Sequence, residues 1–503
     1  MDFFSEIVSE IESGKILTRD ELQKRKKSLC KQHGIKKVPT NAEILSRADT
    51  ESPLLLTKPS RTLSGVSVVA IMTAPQPCPG NCIYCPRGEA AQSYTGFEPA
   101  ALRARQQGFD PKKQASARLR QLKEAGHPTD KVEAIVMGGT FTALPLDFQY
   151  QFVLGLFNAL NTKDSATLEE AQALNELARH RCVGLTFEVR PDHCTDADIA
   201  RLLSFGATRV ELGVQTVFDD VYKKVNRGHS VADVAAATKR LKDAGLKVCY
   251  HLMPGLPGSS RERDLEMFNT VFTDERFKPD MVKIYPCLLA KREFYDNDKV
   301  HSLYRSGEWK PLTNVQATTL IAEAKSSFPP WVRVMRVQRD IPAPYIEAGV
   351  TAGNLRELVH EEMRRRGNAC QCIRCREIGR VDEKETPKLV RREYRASGGT
   401  EVFLSLETPR ALFGFLRLRK PSNFVRELHV YGQEIELGKK GSVQHTGIGK
   451  LLLASAEAEA RHDADRGSAS RGCSVCVTSG VGAREYYRAL GYAREGAYMV
   501  KHL

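Results

Sequence analysis

Three cysteines lie within eight residues, in the segment Cys78-Pro-Gly-Asn-Cys82-Ile-Tyr-Cys85. The spacing C-x3-C-x2-C allows three thiolates to bind three irons of a 4Fe–4S cluster. The fourth iron then has no protein ligand, and an iron with an open position can chelate a small molecule, for which S-adenosylmethionine is the best candidate. Electron transfer into the sulfonium would generate a carbon radical, chemistry that belongs to the cofactor.

The alternative is a structural zinc site or a chance cluster of cysteines. Two features favour the radical interpretation. Tyr84 directly precedes the last cysteine, and an apolar, strand-like run at residues 66–70 leads into the loop. Both features are typical of a radical S-adenosylmethionine loop.

Length and cysteine content exclude several classes of protein. The 503 residues suggest two or three domains. No stretch approaches the roughly 20 apolar residues that cross a bilayer, and the acidic residues 1–6 lack the apolar core of a signal peptide. The 13 cysteines are odd in number, and six lie in two tight clusters, which indicates metal binding in a reducing compartment. We therefore expect a cytoplasmic protein without a membrane partner.

The positive charge of the chain points to a polyanionic partner. The net charge is +14, and residues 15–37 carry nine Lys or Arg against two acids. Nucleic acid is the obvious polyanion for such a segment. Apolar residues recur at period four in residues 1–11, and residues 22–29 read as a basic helix. We predict a basic helical N-terminal segment that binds RNA.

Residues 66–290 alternate between strand-like and helical patterns, which predicts an α/β fold with a parallel sheet. Six clear strands favour a partial (βα)6 barrel over a full barrel of eight. The predicted strands are residues 66–73, 132–137, 183–189, 209–214, 247–252 and 281–285. Functional loops of such folds lie at the carboxyl ends of the strands, and the cysteine loop follows the first strand.

Several polar residues and a glycine pair follow or end these strands. Any one of them alone is more simply a structural polar group, but their equivalent positions indicate a shared site. Paired glycines let the backbone approach a ligand closely. The predicted cofactor-binding residues are Gly138, Gly139, Glu188, Gln215 and His251, with Arg190 beside them, and Lys283 is a candidate catalytic residue.

A second cysteine cluster, Cys370-Gln-Cys372-Ile-Arg-Cys375, has the spacing C-x-C-x2-C. Three soft ligands at this spacing suit zinc. The fourth ligand is not local; Cys287, His360 and water are candidates, and a second iron–sulfur site is the alternative. Flanking arginines could bind phosphate, although they could also form a solvated helix face.

The C-terminal region resembles the GNAT acetyltransferase fold. The turn Gln444-His-Thr-Gly447-Ile-Gly449 follows a strand and opens a helix, and free N–H groups at a helix start hold pyrophosphate. In that fold the turn binds the pyrophosphate of coenzyme A, the preceding strand pairs with pantetheine, and a late tyrosine contacts the thioester end. Tyr486 and Tyr487 are the candidate tyrosines; core packing of one of them is the alternative.

Taken together, the chain resembles the catalytic subunit of Elongator, a tRNA uridine carboxymethyl/acetyl-transferase family, in its stand-alone archaeal and bacterial type. The resemblance covers nearly the whole chain. Besides the two cysteine clusters and the C-terminal motifs, the carrying motifs are Ser93-Tyr-Thr-Gly-Phe-Glu-Pro99, Val136-Met-Gly-Gly-Thr-Phe141, Glu211-Leu-Gly-Val-Gln215, Lys224-Val-Asn-Arg-Gly-His229, Met253-Pro-Gly-Leu-Pro-Gly258 and Val337-Gln-Arg-Asp-Ile-Pro342.

The resemblance implies a reaction at the wobble uridine of tRNA. A 5′-deoxyadenosyl radical would abstract hydrogen from the methyl group of acetyl-CoA, the carbon radical would add to uridine, and thioester hydrolysis would leave 5-carboxymethyluridine. The acetyl-CoA contacts implied by motif are Lys131, Glu427, Leu428, His429, Val430, Ile448, Gly449, Lys450 and Tyr487.

The resemblance also implies partners and an order of domains. The anticodon loop of tRNA is the expected partner, with a homodimer or Elongator-like subunits as further possibilities. The expected domains are a tRNA-binding segment and connector (1–60), the radical domain (61–345), a zinc-binding linker (346–400) and the acetyltransferase (401–503). The alternative function is a protein-lysine acetyltransferase with a structural iron–sulfur cluster, which would not cleave S-adenosylmethionine.

Overall fold

The computed structural model describes residues 1–47, 52–381, 383–432, 434–435, 443–444, 446–465 and 473–503. Three helices open the chain: α1 (Phe3–Glu12), α2 (Arg19–Gln32) and α3 (Asn41–Arg47). Helix α2 starts at a capping box: the Thr18 side chain accepts a hydrogen bond from the Glu21 N–H, and the Glu21 carboxylate accepts one from the Thr18 N–H. The predicted basic helical N-terminal segment is therefore present.

The basic residues of α2 divide into structural and exposed ones. Arg25 donates to Glu10, with a separation of 2.6 Å between Nε and Oε2. Lys26 is buried and donates to Asn41 at 3.0 Å. Lys24 and Lys27 face solvent. Only part of the positive charge that the sequence places here is free for a polyanion.

Seven parallel strands form the central sheet, in the order β1-β2-β3-β4-β5-β6-β8. The strands are β1 (Ser67–Met72), β2 (Lys131–Met137), β3 (Arg181–Val189), β4 (Arg209–Gln215), β5 (Lys247–Leu252), β6 (Met281–Ile284) and β8 (Arg333–Arg336). All six predicted strands are found, and the α/β partial barrel is confirmed. Strand β8 adds a seventh member that the pattern did not predict, because it is only four residues long and begins and ends with arginine.

Helices cover the outer face of the sheet and bury its apolar side chains. The helices of this part of the chain, of which α4, α9 and α12 pack in smaller separate clusters, are α4 (Pro99–Gln106), α5 (Pro111–Glu124), α6 (Leu146–Asn161), α7 (Leu168–Asn175), α8 (Asp196–Ser204), α9 (Asp219–Lys224), α10 (Val231–Asp243), α11 (Arg261–Thr273), α12 (Lys299–Arg305), α13 (Asn314–Lys325), α14 (Leu355–Arg365) and α15 (Ile373–Arg376). Short strands β7 (Leu289–Ala290) and β9 (Ile346–Ala348) pair with each other. Among the described helices, none combines the length and the apolarity that a membrane crossing requires.

A second seven-stranded sheet forms the C-terminal part, in the order β10-β11-β12-β13-β14-β16-β15. Its elements are β10 (Lys388–Ala396), β11 (Gly399–Glu407), β12 (Leu412–Lys420), β13 (Phe424–Val430), α16 (Ile448–Asp465), β14 (Ser474–Val477), α17 (Arg484–Arg488), β15 (Ala493–Glu495) and β16 (Tyr498–His502). Strand β10 lies within the segment expected to be a linker and pairs with β11 along its length.

Buried ions join the two sheets. Arg426 of β13 is fully buried and donates to both carboxylate oxygens of Asp280, at 2.7 Å each. Its Nη2 also donates to Glu401 at 2.6 Å. Asp280 directly precedes β6, so the C-terminal sheet is fixed to the amino ends of the parallel strands. Burial opposes ionisation of Asp280, but the charge of Arg426 outweighs burial and holds the pKa of that carboxyl below its usual range.

Two glycines allow a second close contact between the sheets. A Cβ at Gly480 would meet the Val183 carbonyl oxygen at 2.2 Å, and a Cβ at Gly482 would meet the Arg181 Cβ at 2.4 Å. The segment after β14 therefore lies directly on the start of β3, where no side chain fits.

Replacing Arg426 should destabilise the protein strongly. Arg426→Met removes the cation that directly hydrogen-bonds both Asp280 and Glu401 and leaves Lys242, at 3.8 Å from each, as their shared cation, a loss of about 3–5 kcal/mol. Denaturant unfolding measures this as a lower midpoint. Arg276→Met is the matched control, since Arg276 is 62% exposed and pairs with Asp274 at the surface, where a pair contributes less than about 1 kcal/mol. Equal midpoints for the two variants would contradict the role given to the buried ions.

Candidate functional site

The cysteine loop lies at the carboxyl end of β1, as predicted, and lines a cavity of about 140 Å³. We call it the carboxyl-end cavity. Cys82 accepts from Arg227 Nη1 at 3.3 Å, and the Cys85 sulfur lies 3.1 Å from Ser93 Oγ. Burial raises the pKa of the Cys82 thiol, but the Arg227 guanidinium more than offsets it, so that this pKa is lowered. Burial raises the pKa of Cys85 to about 11.

The spacing of the three sulfurs fits a cluster better than a single ion. Among the described residues, Cys78, Cys82 and Cys85 do not belong to any group whose donor atoms all lie within 4.8 Å of one another. A single tetrahedral ion requires such proximity, whereas thiolates that bind separate irons of a cubane stand further apart. The three sulfurs are therefore not arranged for a single tetrahedral ion.

The polar residues predicted at the strand ends do meet in this cavity. Its lining includes Gly139, Glu188, Gln215, His251 and Lys283. Gly138 lies directly behind, where its N–H donates to Glu188 Oε2 at 3.4 Å and its φ is +138°. A Cβ at this position would meet Thr73 Oγ1 at 2.0 Å, which explains the glycine.

Sequence reasoning missed Glu211, which organises this group. Its side chain is fully buried, accepts from His251 Nε2 at 2.8 Å and forms an ion pair with Lys283. Burial works against the charge on Glu211, but Lys283 and His251 hold the pKa of the carboxyl far below its usual range. Burial lowers the pKa of Lys283, but the charge of Glu211 outweighs burial, so that this pKa is raised. A buried acid inside a strand gives no signal in one sequence, since its position is also compatible with a solvent-facing residue.

The second cysteine cluster has the geometry of a single-ion site. The sulfurs of Cys370, Cys372 and Cys375 all lie within 4.8 Å of one another. His360 Nε2 lies 3.6 Å from the Cys375 sulfur. Burial and the charges of Lys325 and Arg356 lower the pKa of His360 to about 4, which keeps the imidazole neutral and able to bind a metal at neutral pH.

Of the candidates for a fourth ligand, His360 is near one of the sulfurs, although it does not lie within 4.8 Å of all three, and Cys287 packs elsewhere. Cys287 packs in the core cluster that contains Cys82 and Tyr84. It belongs to the surroundings of the carboxyl-end cavity, so the expectation that it could reach the second cysteine cluster was wrong.

The predicted acetyl-CoA residues line a cavity of about 500 Å³ between the two sheets. We call it the interdomain cavity. The predicted residues in its lining are Lys131, Glu427, Leu428, His429, Val430, Gln444, Gly447, Ile448, Gly449, Lys450, Tyr486 and Tyr487. His445, within the predicted turn, lies outside the described residues.

The geometry of β13 suits an extended ligand. Strand β13 pairs with β14 only at Phe424 and Val425, so its later residues keep a backbone edge toward the cavity that β14 does not cover. Gln444 braces this edge, because its amide donates to the Val430 carbonyl at 3.3 Å and accepts from Lys131 at 2.9 Å. Of the two tyrosines, Tyr487 is buried and Tyr486 is 38% exposed.

The opposite wall of the interdomain cavity comes from the amino ends of the parallel strands, which sequence reasoning did not connect with the C-terminal part. The additional lining residues from this wall include Glu133, Arg209, Lys247, Met281 and Arg333. Their proximity to β13 depends on contacts between segments more than a hundred residues apart, for which one sequence carries no local signal.

Comparison with known proteins agrees with this arrangement. The Radical SAM superfamily model matches residues 76–271, a Radical_SAM C-terminal domain matches 279–365, and an ELP3 N-terminal domain matches 1–63. A tRNA uridine(34) acetyltransferase of Methanocaldococcus infernus is 46% identical over 99% of this chain and 98% of its own length. Elongator complex protein 3 of Homo sapiens is 40% identical over 100% of this chain and 96% of its own.

The solved structure of archaeal Methanocaldococcus infernus Elp3 with an N-terminal deletion superimposes with a TM-score of 0.76 at 45% identity. It covers 88% of this chain and 100% of the other. The chain belongs to the Elongator complex protein 3 family. The family resemblance and the assignment to radical enzymes with an acyltransferase activity are thereby confirmed, while the roles of individual site residues remain predictions.

The two cysteine clusters should bind different metals. After anaerobic reconstitution, the wild type should hold about four irons per chain as one 4Fe–4S cluster. Substituting Ala at Cys78, Cys82 and Cys85 should remove the irons and the charge-transfer absorption. Substituting Ala at Cys370, Cys372 and Cys375 is the matched control and should leave both. Iron retained by the first variant, or lost only by the second, would contradict this assignment.

Proposed function

We propose that this protein modifies the wobble uridine of tRNA to 5-carboxymethyluridine, with acetyl-CoA and S-adenosylmethionine as co-substrates. The observation that carries the proposal is the placement of two cavities at opposite ends of the same strands. Strand β4 contributes Glu211 to the carboxyl-end cavity and Arg209 to the interdomain cavity. The names of its relatives as tRNA uridine(34) acetyltransferases support the substrate.

The carboxyl-end cavity supplies the residues for radical chemistry. A 4Fe–4S cluster with bound S-adenosylmethionine supplies a carbon-centred radical when both are present. Cys78, Cys82 and Cys85 would hold the cluster, and the contact from Arg227 stabilises the Cys82 thiolate. Glu188 offers a carboxylate beside the paired glycines, which suits the ammonium of the methionyl group.

The interdomain cavity supplies the residues for the thioester. The turn at residues 447–450 and the start of α16 present backbone N–H groups that suit pyrophosphate. The free edge of β13 suits the amides of pantetheine. Tyr487 lies in the same wall, and its hydroxyl has no hydrogen-bond partner among the residues that the structure describes, which leaves it available to the ligand.

We propose zinc as the metal of the second cysteine cluster, with His360 as the fourth ligand. Three thiolates and one imidazole give a closed tetrahedral site, as structural zinc requires. Lys325 is buried with its ammonium 3.8 Å from the Cys375 sulfur. Its charge offsets the excess negative charge of a zinc ion bound by three thiolates, which supports this ligand set.

We assign the anticodon loop of tRNA to the carboxyl-end cavity. A target base must leave its stack to reach an enclosed site, and loops permit this at low cost. Exposed Lys24 and Lys27 add a basic surface on the N-terminal helices. The domain limits 1–60, 61–345, 346–400 and 401–503, with β10 counted in the last domain because it pairs with β11, are parts of the same proposal. A cytoplasmic location and a homodimer or partner subunits are further parts of it.

Acetyl-CoA turnover should depend on tRNA and on the turn before α16. Gly449→Glu places a carboxylate where pyrophosphate is expected and should abolish tRNA-stimulated acetyl-CoA hydrolysis. Because a Cβ at Gly449 would also meet the Tyr486 hydroxyl at 2.7 Å, Lys450→Glu serves as a second variant at an exposed position. Tyr487→Phe should reduce turnover more mildly, since it removes only a hydroxyl.

Free thiol release measures this turnover with and without tRNA, and cluster content and tRNA binding serve as controls that should survive in all three variants. Hydrolysis that is equally fast without tRNA, or full activity of Gly449→Glu and Lys450→Glu, would refute the proposed coupling.

A further inference from the structure

The two cavities approach each other inside the barrel. Strand β4 contributes Arg209 to the interdomain cavity and Glu211 to the carboxyl-end cavity, and β6 contributes Met281 and Lys283 in the same way. Residues two apart on a strand project from the same face and are separated by about 7 Å. Along these strands, the wall between the two cavities is therefore only about 7 Å thick, the separation of residues two apart on a strand.

This wall consists of charged side chains. Glu133 forms an ion pair with Arg209, and Arg209 Nε lies 3.4 Å from Glu211 Oε1. Glu211 in turn contacts His251 and Lys283. Barrel interiors are normally filled by branched apolar side chains, and burying ions costs free energy that apolar packing would avoid. The presence of these ion pairs inside the barrel, in place of apolar side chains, therefore indicates a functional role.

Arg209 has donors that the protein leaves unused. Its side chain is only 4% exposed. Within the described chain, its Nε and Nη2 have no hydrogen-bond partner, and neither does the facing Oε1 of Glu211. Unpaired buried N–H groups are costly, and a guanidinium offers five donors in a fixed fork. Arg209 lines the interdomain cavity, but its Nε and Nη2 lie below the water-accessible surface, so an acceptor oxygen of a ligand meets them only when the side chain turns away from Glu211 and toward the cavity.

A thioester supplies such an oxygen. The turn expected to hold pyrophosphate lies between β13 and α16 in the C-terminal part, whereas Arg209 lies in the opposite wall of the same cavity. Lys247, the register partner of Arg209 on β5, lines this wall too. A ligand that runs from the turn along β13 and crosses the cavity meets Arg209 with its far end, which in an acyl-CoA is the acyl carbonyl.

We propose that Arg209 donates a hydrogen bond to the thioester carbonyl of the acyl-CoA, and that Glu133, Arg209 and Glu211 form a movable partition. When Arg209 exchanges its contact with Glu211 for the thioester oxygen, the acyl methyl gains access to the carboxyl-end cavity. The inference rests on the proposed function, because it takes a CoA thioester as the occupant. It adds the route by which the acyl group reaches the radical site.

Equilibrium binding tests the carbonyl contact without catalysis. The probes are acetyl-CoA and S-ethyl-CoA, a thioether that lacks only the carbonyl oxygen. The wild type should prefer acetyl-CoA by about tenfold or more, as expected for a hydrogen bond from a charged donor. Arg209→Met should bind both ligands alike, within about twofold. Arg209→Lys keeps the charge without the fork and should retain part of the preference.

Arg376→Met is the matched control for general damage. Arg376 is 5% exposed and pairs with Glu407 at 3.1 Å, outside both cavities. This variant should keep the wild-type preference for acetyl-CoA. If Arg209→Met does not fold, Arg209→Lys carries the test. A wild type that does not discriminate, or an Arg209 variant that retains the full preference or loses affinity for both ligands equally, would overturn the carbonyl contact.

Isotope transfer tests the partition. With unmodified tRNA, acetyl-CoA deuterated at the methyl group, S-adenosylmethionine and a reductant, wild type should place deuterium in 5′-deoxyadenosine. Arg209→Met should still cleave S-adenosylmethionine but transfer at least about tenfold less deuterium. Transfer at the wild-type level would overturn the partition. If wild type transfers none, the proposed function fails instead, and the binding assay still decides the role of Arg209.

Discussion

The buried ion pair between Arg426 and Asp280 determines the working arrangement of this protein. It fixes β13 of the C-terminal sheet to the start of β6 in the parallel sheet, with Glu401 as a third buried partner. Together with the contact of Gly480 against Val183 and the ion pair of Arg484 with Glu176, that attachment keeps the residues that resemble an acetyl-CoA site from forming an open groove. With it, the amino ends of the parallel strands become the second wall of the interdomain cavity.

One set of strands therefore lines two cavities. Their carboxyl ends carry the cysteine loop and the polar group around Glu211, as open α/β folds usually place their sites. Their amino ends face the C-terminal sheet, an edge that in barrels usually serves stability. The chain departs from the usual apolar filling between these ends, where the buried Arg209 and Glu211 and the partly buried Glu133 form a line of charge.

Local patterns predicted the six longer strands of the parallel sheet, the position of the cysteine loop and the glycine-containing turn before α16, because each depends on a few neighbouring residues. Strand β8 was not predicted because it has only four residues, the first and last of which are arginines. Strand β10 was not predicted because its many charged residues resemble those of a linker. The roles of Glu211 and Arg209 were not predicted for another reason. A charged residue in a strand normally faces water, and only the tertiary structure reveals that these two side chains lie in an enclosed interior. The interdomain cavity depends on long-range contacts that no local pattern encodes.

The most direct test is the fate of the acetyl carbons. Wild-type protein with a reconstituted cluster would be incubated with S-adenosylmethionine, a reductant, unmodified tRNA and acetyl-CoA labelled with heavy carbon at both acetyl positions. Mass spectrometry of the tRNA nucleosides should then find 5-carboxymethyluridine at the wobble position with both labelled carbons, and none when S-adenosylmethionine is omitted. Label found in protein lysines while the tRNA stays unmodified, or labelled uridine formed without S-adenosylmethionine, would contradict the account.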